Sequence, residues 1–162
     1  MRLLLLACAA ALGLAAPAAA PAAAPPKDPQ AAAAVAQVER FFAAMKAGDE
    51  ATLKTILLPE VTFTAQRLKD GQATLRRIPA GDWAAGLAKG GPVVDERMWD
   101  PTVMRRGPIA IVWAPYELLV DGKTIHCGVD VFDLVEVEGT WRVAHLMWTQ
   151  EPTACPELKR KG

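Results

Sequence analysis

The stretch from Ile109 to Glu151 constrains the fold more than any other part of the chain. Three apolar runs, rich in β-branched and aromatic residues, are separated by Asp121-Gly122 and Glu138-Gly139. Both dipeptides signal hairpins, because a two-residue turn that matches strand twist needs positive φ, which glycine adopts without steric cost. The pattern predicts three long antiparallel strands in a meander. Register follows from the turns. With Glu138-Gly139 as a two-residue turn, Val137 faces Thr140, Leu134 faces Val143, Phe132 faces His145, Asp130 faces Met147 and His126 faces Glu151. Side chains alternate between faces. One face should therefore carry His126, Asp130, Phe132, Leu134, His145 and Met147, and the other Cys127, Val129, Val131, Leu146 and Trp148. Both sets are largely apolar, whereas an antiparallel sheet with one wet face alternates with polar residues. The sheet is expected to be covered on both sides or curled around its own core.

A turn at Asp121-Gly122 extends the first face and places Glu117 opposite His126 and Trp113 opposite Asp130. Pro115 cannot donate to a ladder and signals a bulge or an edge. A bulge would reverse the parity of everything before it and exchange Tyr116 for Glu117. Both arrangements stay open in the sequence.

The N-terminus reads as a targeting segment. Met1-Arg2 supplies a positive charge, residues 3–16 are apolar, and Ala16-Pro17-Ala18 fits a small-residue cleavage site. The expected organisation is a signal peptide over 1–18, an Ala/Pro linker over 19–30, one domain over 31–155 and a polar tail over 156–162. The apolar run is too short for a membrane span. Leu5-Leu6-Ala7-Cys8 has the form of a lipoprotein box, but it lies close behind Arg2. Cleavage and release into the periplasm or medium is the preferred reading. Removing Cys8 leaves two cysteines, and an even count in an exported chain suggests a Cys127–Cys155 disulfide. The alternative is two buried free thiols. Since Cys127 is assigned to the face opposite His126, the tail after Pro152 would have to fold back around the sheet edge. There it would close one rim of a pocket.

Upstream of the meander, Val35, Val38, Phe41, Phe42 and Met45 recur at helical spacing over 31–47, with Gly48 as the stop. Asp49 can cap a short second helix containing Leu53, Ile56 and Leu57. Residues 60–66 and 73–78 read as short strands around Lys69-Asp70-Gly71. Asp82 is expected to cap a third helix, and 94–104 a strand interrupted by Pro101.

Two stretches look familiar: VERFFAAMKAGDEATLKTILLPEVTFTAQR, from Val38 to Arg67, and VWAPYELLVDG with HCGVDVFDLVEVEGTWRV, between Val112 and Val143. Together they resemble the nuclear transport factor 2-like (NTF2-like) superfamily, near its SnoaL-like and small exported members. The resemblance implies an α+β cone in which three N-terminal helices pack against a strongly curved, mainly antiparallel sheet, with a pocket at the open end. That fold hosts isomerases, cyclases, dehydratases, binding modules and transport factors, so it does not choose an activity.

His126 and Asp130 lie four apart on one strand, with Glu117 a candidate neighbour. Such a group could do acid–base work, or could be a hydrogen-bonded pair at the sheet's end. His145, opposite Phe132, is expected in the core, and Trp141 is structural. Trp113, Tyr116, His126 and Asp130 are the expected lining of a ligand pocket. Trp148, on the other face, could mark a dimer surface or the cover of that face. His126 and Cys127 are adjacent on a strand and point apart, so no metal site is expected. No Gly-rich phosphate loop or nucleophile motif implies a cofactor or covalent chemistry. The charge is balanced, 18 basic against 18 acidic residues, with no basic stripe, so nucleic acid is not an expected partner. Three readings follow: an exported domain binding a small, largely apolar ligand; a SnoaL-like or ketosteroid-isomerase-like enzyme moving a proton; or a non-catalytic homodimerisation module.

Overall fold

The computed structural model describes residues 28–158. The expected signal peptide, nearly all of the linker and the last residues of the tail lie outside the described residues. Helix α1 (Pro29–Ala47) opens on Asp28, whose carboxylate accepts from the Gln30 N–H, and on Pro29, which suits a first helical turn. These two residues start the helix ahead of the expected boundary. Gly48, at φ 64°, ends it in the left-handed conformation. The helix buries Ala34, Val38, Phe41 and Met45 along one stripe. In α2 (Glu50–Ile56), Asp49 caps by accepting from the Thr52 N–H. Strands β1 (Thr62–Lys69) and β2 (Gln72–Pro79) form a hairpin around Asp70-Gly71, both at positive φ.

Helix α3 (Ala80–Ala88) follows at once. Asp82 sits in its first turn and does not cap it, because the helix begins at Ala80, whose N–H donates to the Val61 carbonyl at 2.8 Å. Strands β3 (Val94–Met98) and β4 (Thr102–Arg106) flank the Pro101 interruption. The meander is β5 (Ile109–Val120), β6 (Lys123–Val137) and β7 (Thr140–Gln150), and a short α4 (Cys155–Leu158) closes the described chain. Both meander turns have positive φ at both central residues, as a two-residue hairpin requires.

The strands form one open, curved sheet in the order β2-β1-β7-β6-β5-β3, with β4 pairing further along β5. Every pairing is antiparallel except β1 with β7. The architecture is α+β, helices on a curved sheet. The core lies between α1 and the concave face. Phe41 meets Phe63 and Phe132 edge-on and stacks on Trp83.

Two bulges change the expected faces. Between β6 and β7 the register holds from Val137–Thr140 to Leu134–Val143, then shifts so that Asp133 faces His145 and Asp130 faces Trp148. Ala144 is the extra residue. Leu146 and Trp148 therefore turn inward, and His145 and Met147 turn out. Uniform alternation would have buried an imidazole and exposed a tryptophan, and the bulge avoids both. Between β5 and β6 the extra residue is Ile125, so Leu118 faces His126, Tyr116 faces Gly128 and Trp113 faces Val131. Tyr116 points inward, and Glu117 and Trp113 face out. Pro115 is not the cause. It sits where β5 changes partner, between the Thr102–Trp113 and Met98–Tyr116 pairs, so its missing N–H falls at a corner of the sheet.

Candidate functional site

A cavity of about 300 Å³ opens between α1, α3, the β1–β2 hairpin and the concave face. Phe41, Phe63, Trp83, Leu118, Leu146 and Trp148 supply its apolar wall. Its polar side is built by Glu96 from β3, Tyr116 from β5, and His126 and Asp130 from β6. A larger hollow of about 500 Å³ lies where α1 ends against Gly90, Gly91 and Pro92, but Lys46 is the single charged residue in its lining.

Strand alternation brings the polar side together. His126, Gly128 and Asp130 occupy successive inward positions on β6, and Tyr116 is paired with Gly128. A Cβ on Gly128 would lie 2.0 Å from the Thr149 carbonyl oxygen and 2.8 Å from Tyr116 Cε1. Only glycine lets β7 and the tyrosine ring approach this closely. Tyr116 Oη donates to the Thr149 carbonyl at 2.7 Å and lies 3.0 Å from His126 Nε2. Its one proton is committed to the carbonyl, so the hydroxyl oxygen accepts from Nε2–H and leaves Nδ1 as the acceptor. Burial, helped by the charge of Arg67, lowers the His126 pKa to about 4, so the ring is neutral at physiological pH. Burial, followed by the nearby carboxyls of Asp130, Glu96 and Glu151, raises the Tyr116 hydroxyl well above its usual range.

Asp130 is 2% exposed. Burial first, and then the neighbouring Glu96, raise its carboxyl well above the ordinary carboxylate range. Burial also raises Glu96 to about 7, against the opposing pull of its hydrogen bond with Asp130. A hydrogen bond between two carboxyls requires a proton on one of them, so the pair behaves as one proton-sharing unit. No backbone group and no side chain other than the Glu96 carboxyl bonds the buried Asp130 carboxyl among the described residues. A carboxyl with one partner keeps acceptor capacity that a donor on a ligand could satisfy.

Of the sequence-predicted site residues, Tyr116, His126 and Asp130 meet in the cavity. Glu117 does not. It lies on the convex face and accepts from Thr124 Oγ1. Trp113 is also convex, at 41% exposure, and does not line the cavity. The Ile125 bulge explains both placements. His145 is not in the core. It is half-buried on the convex face, 3.2 Å from Thr64 Oγ1 and 3.5 Å from the Asp133 carboxylate. Trp148 meets Phe63 edge-on inside the cone and is no part of an outer surface.

A disulfide joins Cys127 to Cys155, with the Cα atoms 5.0 Å apart. The tail returns to the convex face, as the parity of Cys127 requires. The residues lining the cavity stop at Gln150, so the tail does not close its rim. Sequence reasoning missed Glu96 and Gly128. Val94-x-Glu96-x-Met98 alternates as an inward face with one carboxylate in it, and a glycine inside a long strand marks a close approach. Among the described residues, no group of three His, Cys, Asp or Glu could hold a metal ion.

A family model described as "Putative lumazine-binding" matches residues 29–149. The chain belongs to this putative lumazine-binding family. Solved structures described as NTF2-like share its fold. The β subunit of a putative aromatic-ring-hydroxylating dioxygenase from Novosphingobium aromaticivorans superposes with a TM-score of 0.61 at 12% identity, covering 75% of this chain and 89% of that one. A putative dehydratase of the NTF2-like family from Streptomyces avermitilis gives 0.57 at 15%, covering 75% and 95%. A putative ketosteroid isomerase from Shewanella frigidimarina gives 0.50 at 22%, covering 72% and 94%. At such identities the likeness to these structures concerns the fold alone. No curated protein matches the sequence.

Proposed function

We propose that this member of the putative lumazine-binding family holds a small, largely apolar molecule in its cavity and hydrogen-bonds one polar group of it at Asp130. The observation that carries the reading is the buried Asp130 carboxyl, bonded among side chains to Glu96 alone, in the polar wall of a largely apolar cavity. The family description makes lumazine the first compound to titrate. Its planar ring could lie against the aromatic wall, and its edge of alternating N–H and C=O groups suits a carboxyl pair sharing one proton. The direct experiment is native mass spectrometry of protein purified from its own host. Wild type is expected to carry a retained small molecule that is lost from Val94→Trp, which fills the cavity. Identical ligand-free masses for both proteins would refute the reading.

A second reading is favoured by Glu96 alone. A carboxyl raised to about 7 is poised to take and return a proton at neutral pH. In a SnoaL-like or ketosteroid-isomerase-like enzyme, Glu96 would move the proton and protonated Asp130 would donate to the developing charge. Tyr116 and His126 would hold that geometry. Glu96→Gln would then abolish turnover and spare ligand retention. The apolar N-terminal run and the disulfide together support export to an oxidising compartment. Exposed Met104, Trp113 and Met147 on the convex face support a homodimer.

A further inference from the structure

The two ends of the cavity differ in charge, and the difference selects a class of ligand. The polar interior is acidic. Glu96 and Asp130 share a proton, and no cationic side chain bonds to either. The mouth is basic. Arg76 lines the cavity from β2 and is exposed, and the half-buried Gln150 lines it from β7. Arg67 lies on the same concave face of the hairpin. In the β1–β2 ladder Ala65 pairs with Arg76 and Arg67 with Thr74, and Arg67 is near enough to act on His126. Gln150 is the residue of β7 that pairs with Arg67.

Arg97 and Arg105 each have a carboxylate partner. Neither the Arg67 nor the Arg76 guanidinium makes a hydrogen bond or ion pair among the described residues. One uncompensated guanidinium, of Arg76, thus lines an apolar cavity whose far wall would repel an anion, and a second, of Arg67, lies on the same face of the hairpin. We infer that the cavity takes an amphipathic carboxylic acid: a compact planar or alicyclic body against Trp83 and Trp148, a neutral polar group at Asp130, and a carboxylate held at the mouth by Arg76 and Arg67. Guanidinium suits this role, because its planar donors match a carboxylate in two parallel hydrogen bonds.

This inference rests on the ligand-binding reading, and the experiment separates the two. The probes are 1-naphthylacetate and its neutral isostere 1-naphthylacetamide, titrated calorimetrically into ligand-stripped wild type, Arg76→Gln, Arg67→Gln and Val94→Trp. The acid is expected to bind wild type at least tenfold more tightly than the amide. Arg76→Gln should remove most of that preference, Arg67→Gln part of it, and neither should alter amide affinity more than twofold. Both probes should fail to bind Val94→Trp. Equal binding of acid and amide to wild type would overturn the anion class and leave the cavity as a binding site. Acid binding that survives Val94→Trp would place the acid on surface arginines and also overturn the inference. If neither probe binds wild type, both the inference and the reading beneath it fall. Arg76 and Arg67 are exposed, so their replacement should leave thermal unfolding unchanged, and that measurement excludes misfolding as the cause.

Discussion

Glu96 and His126 store opposite pH dependences in one cavity. Glu96 rises from 4.5 to about 7 on folding, so the folded state holds more protons than the unfolded chain between those values. Its contribution to stability is fully present below 4.5 and is lost as pH climbs through 7. His126 falls from 6.5 to about 4, so its contribution is present above 6.5 and is lost as pH falls through 4. The two oppose each other over pH 4.5–6.5, and single variants should expose them. Glu96→Gln is expected to gain stability relative to wild type as pH rises through this window, and His126→Gln to lose it. Chemical denaturation at pH 4.5, 5.5, 6.5 and 7.5 reads both trends, and parallel profiles for all three proteins would refute the assignment. His126 and Asp130 were legible as a pair because residues four apart on a strand share a face whatever the register. Glu96 was not, because its partnership with Asp130 depends on β3 docking against β5, which no local pattern announces.

At the scale of elements, the turns were readable and the bulges were not. Asp-Gly and Glu-Gly demand positive φ, so the hairpins and their first pairs followed from steric preference. The shifts at Ile125 and Ala144 come from burial across the whole sheet. Their one local trace is a change of apolar parity, from Trp141 and Val143 to Leu146 and Trp148. Tyr116 displaced Glu117 from the site for the same reason. Gly128 carries a related prediction. Alanine there would drive its methyl into the Thr149 carbonyl and the Tyr116 ring. Gly128→Ala is expected to cost more than about 3 kcal/mol, beyond the roughly 1–2 kcal/mol expected of Tyr116→Phe, which removes only the hydrogen-bonding hydroxyl. A denaturation midpoint equal to wild type would show that β7 can move aside. The disulfide belongs to this scale too. Replacing both Cys127 and Cys155 by alanine should lower stability by about 3–4 kcal/mol through the freed unfolded chain. Because the tail sits on the convex face, ligand affinity should change less than twofold. A large loss of affinity would mean that the tail shapes the cavity after all.

The whole molecule turns its ionisable pair inward and leaves apolar side chains on its outside. On the convex face Trp113 pairs with Val131 and Val131 with Met147, a row running across β5, β6 and β7. Met104 on β4 extends the patch through its partner Ile111. Trp113, Met147 and Met104 are 41%, 42% and 59% exposed. Tryptophan and methionine are enriched in the cores of protein interfaces, and a self-complementary patch on a sheet favours a two-fold dimer. His145, with Thr64 and Asp133, sits at the side of this row and supplies the polar part such an interface needs. Sequence alternation indicated that both sheet faces were apolar, but it assigned Leu146 and Trp148 to the outer one; the Ala144 bulge replaces them there with Met147 and His145. The domain is therefore expected to sediment as a dimer at tens of micromolar. Trp113→Glu should give a monomer, with thermal unfolding lowered both by the lost association and by the part of the indole that packs within its own chain. Wild type that sediments as a monomer would dismiss the dimer. A Trp113→Glu variant that remains dimeric would move the interface to another surface.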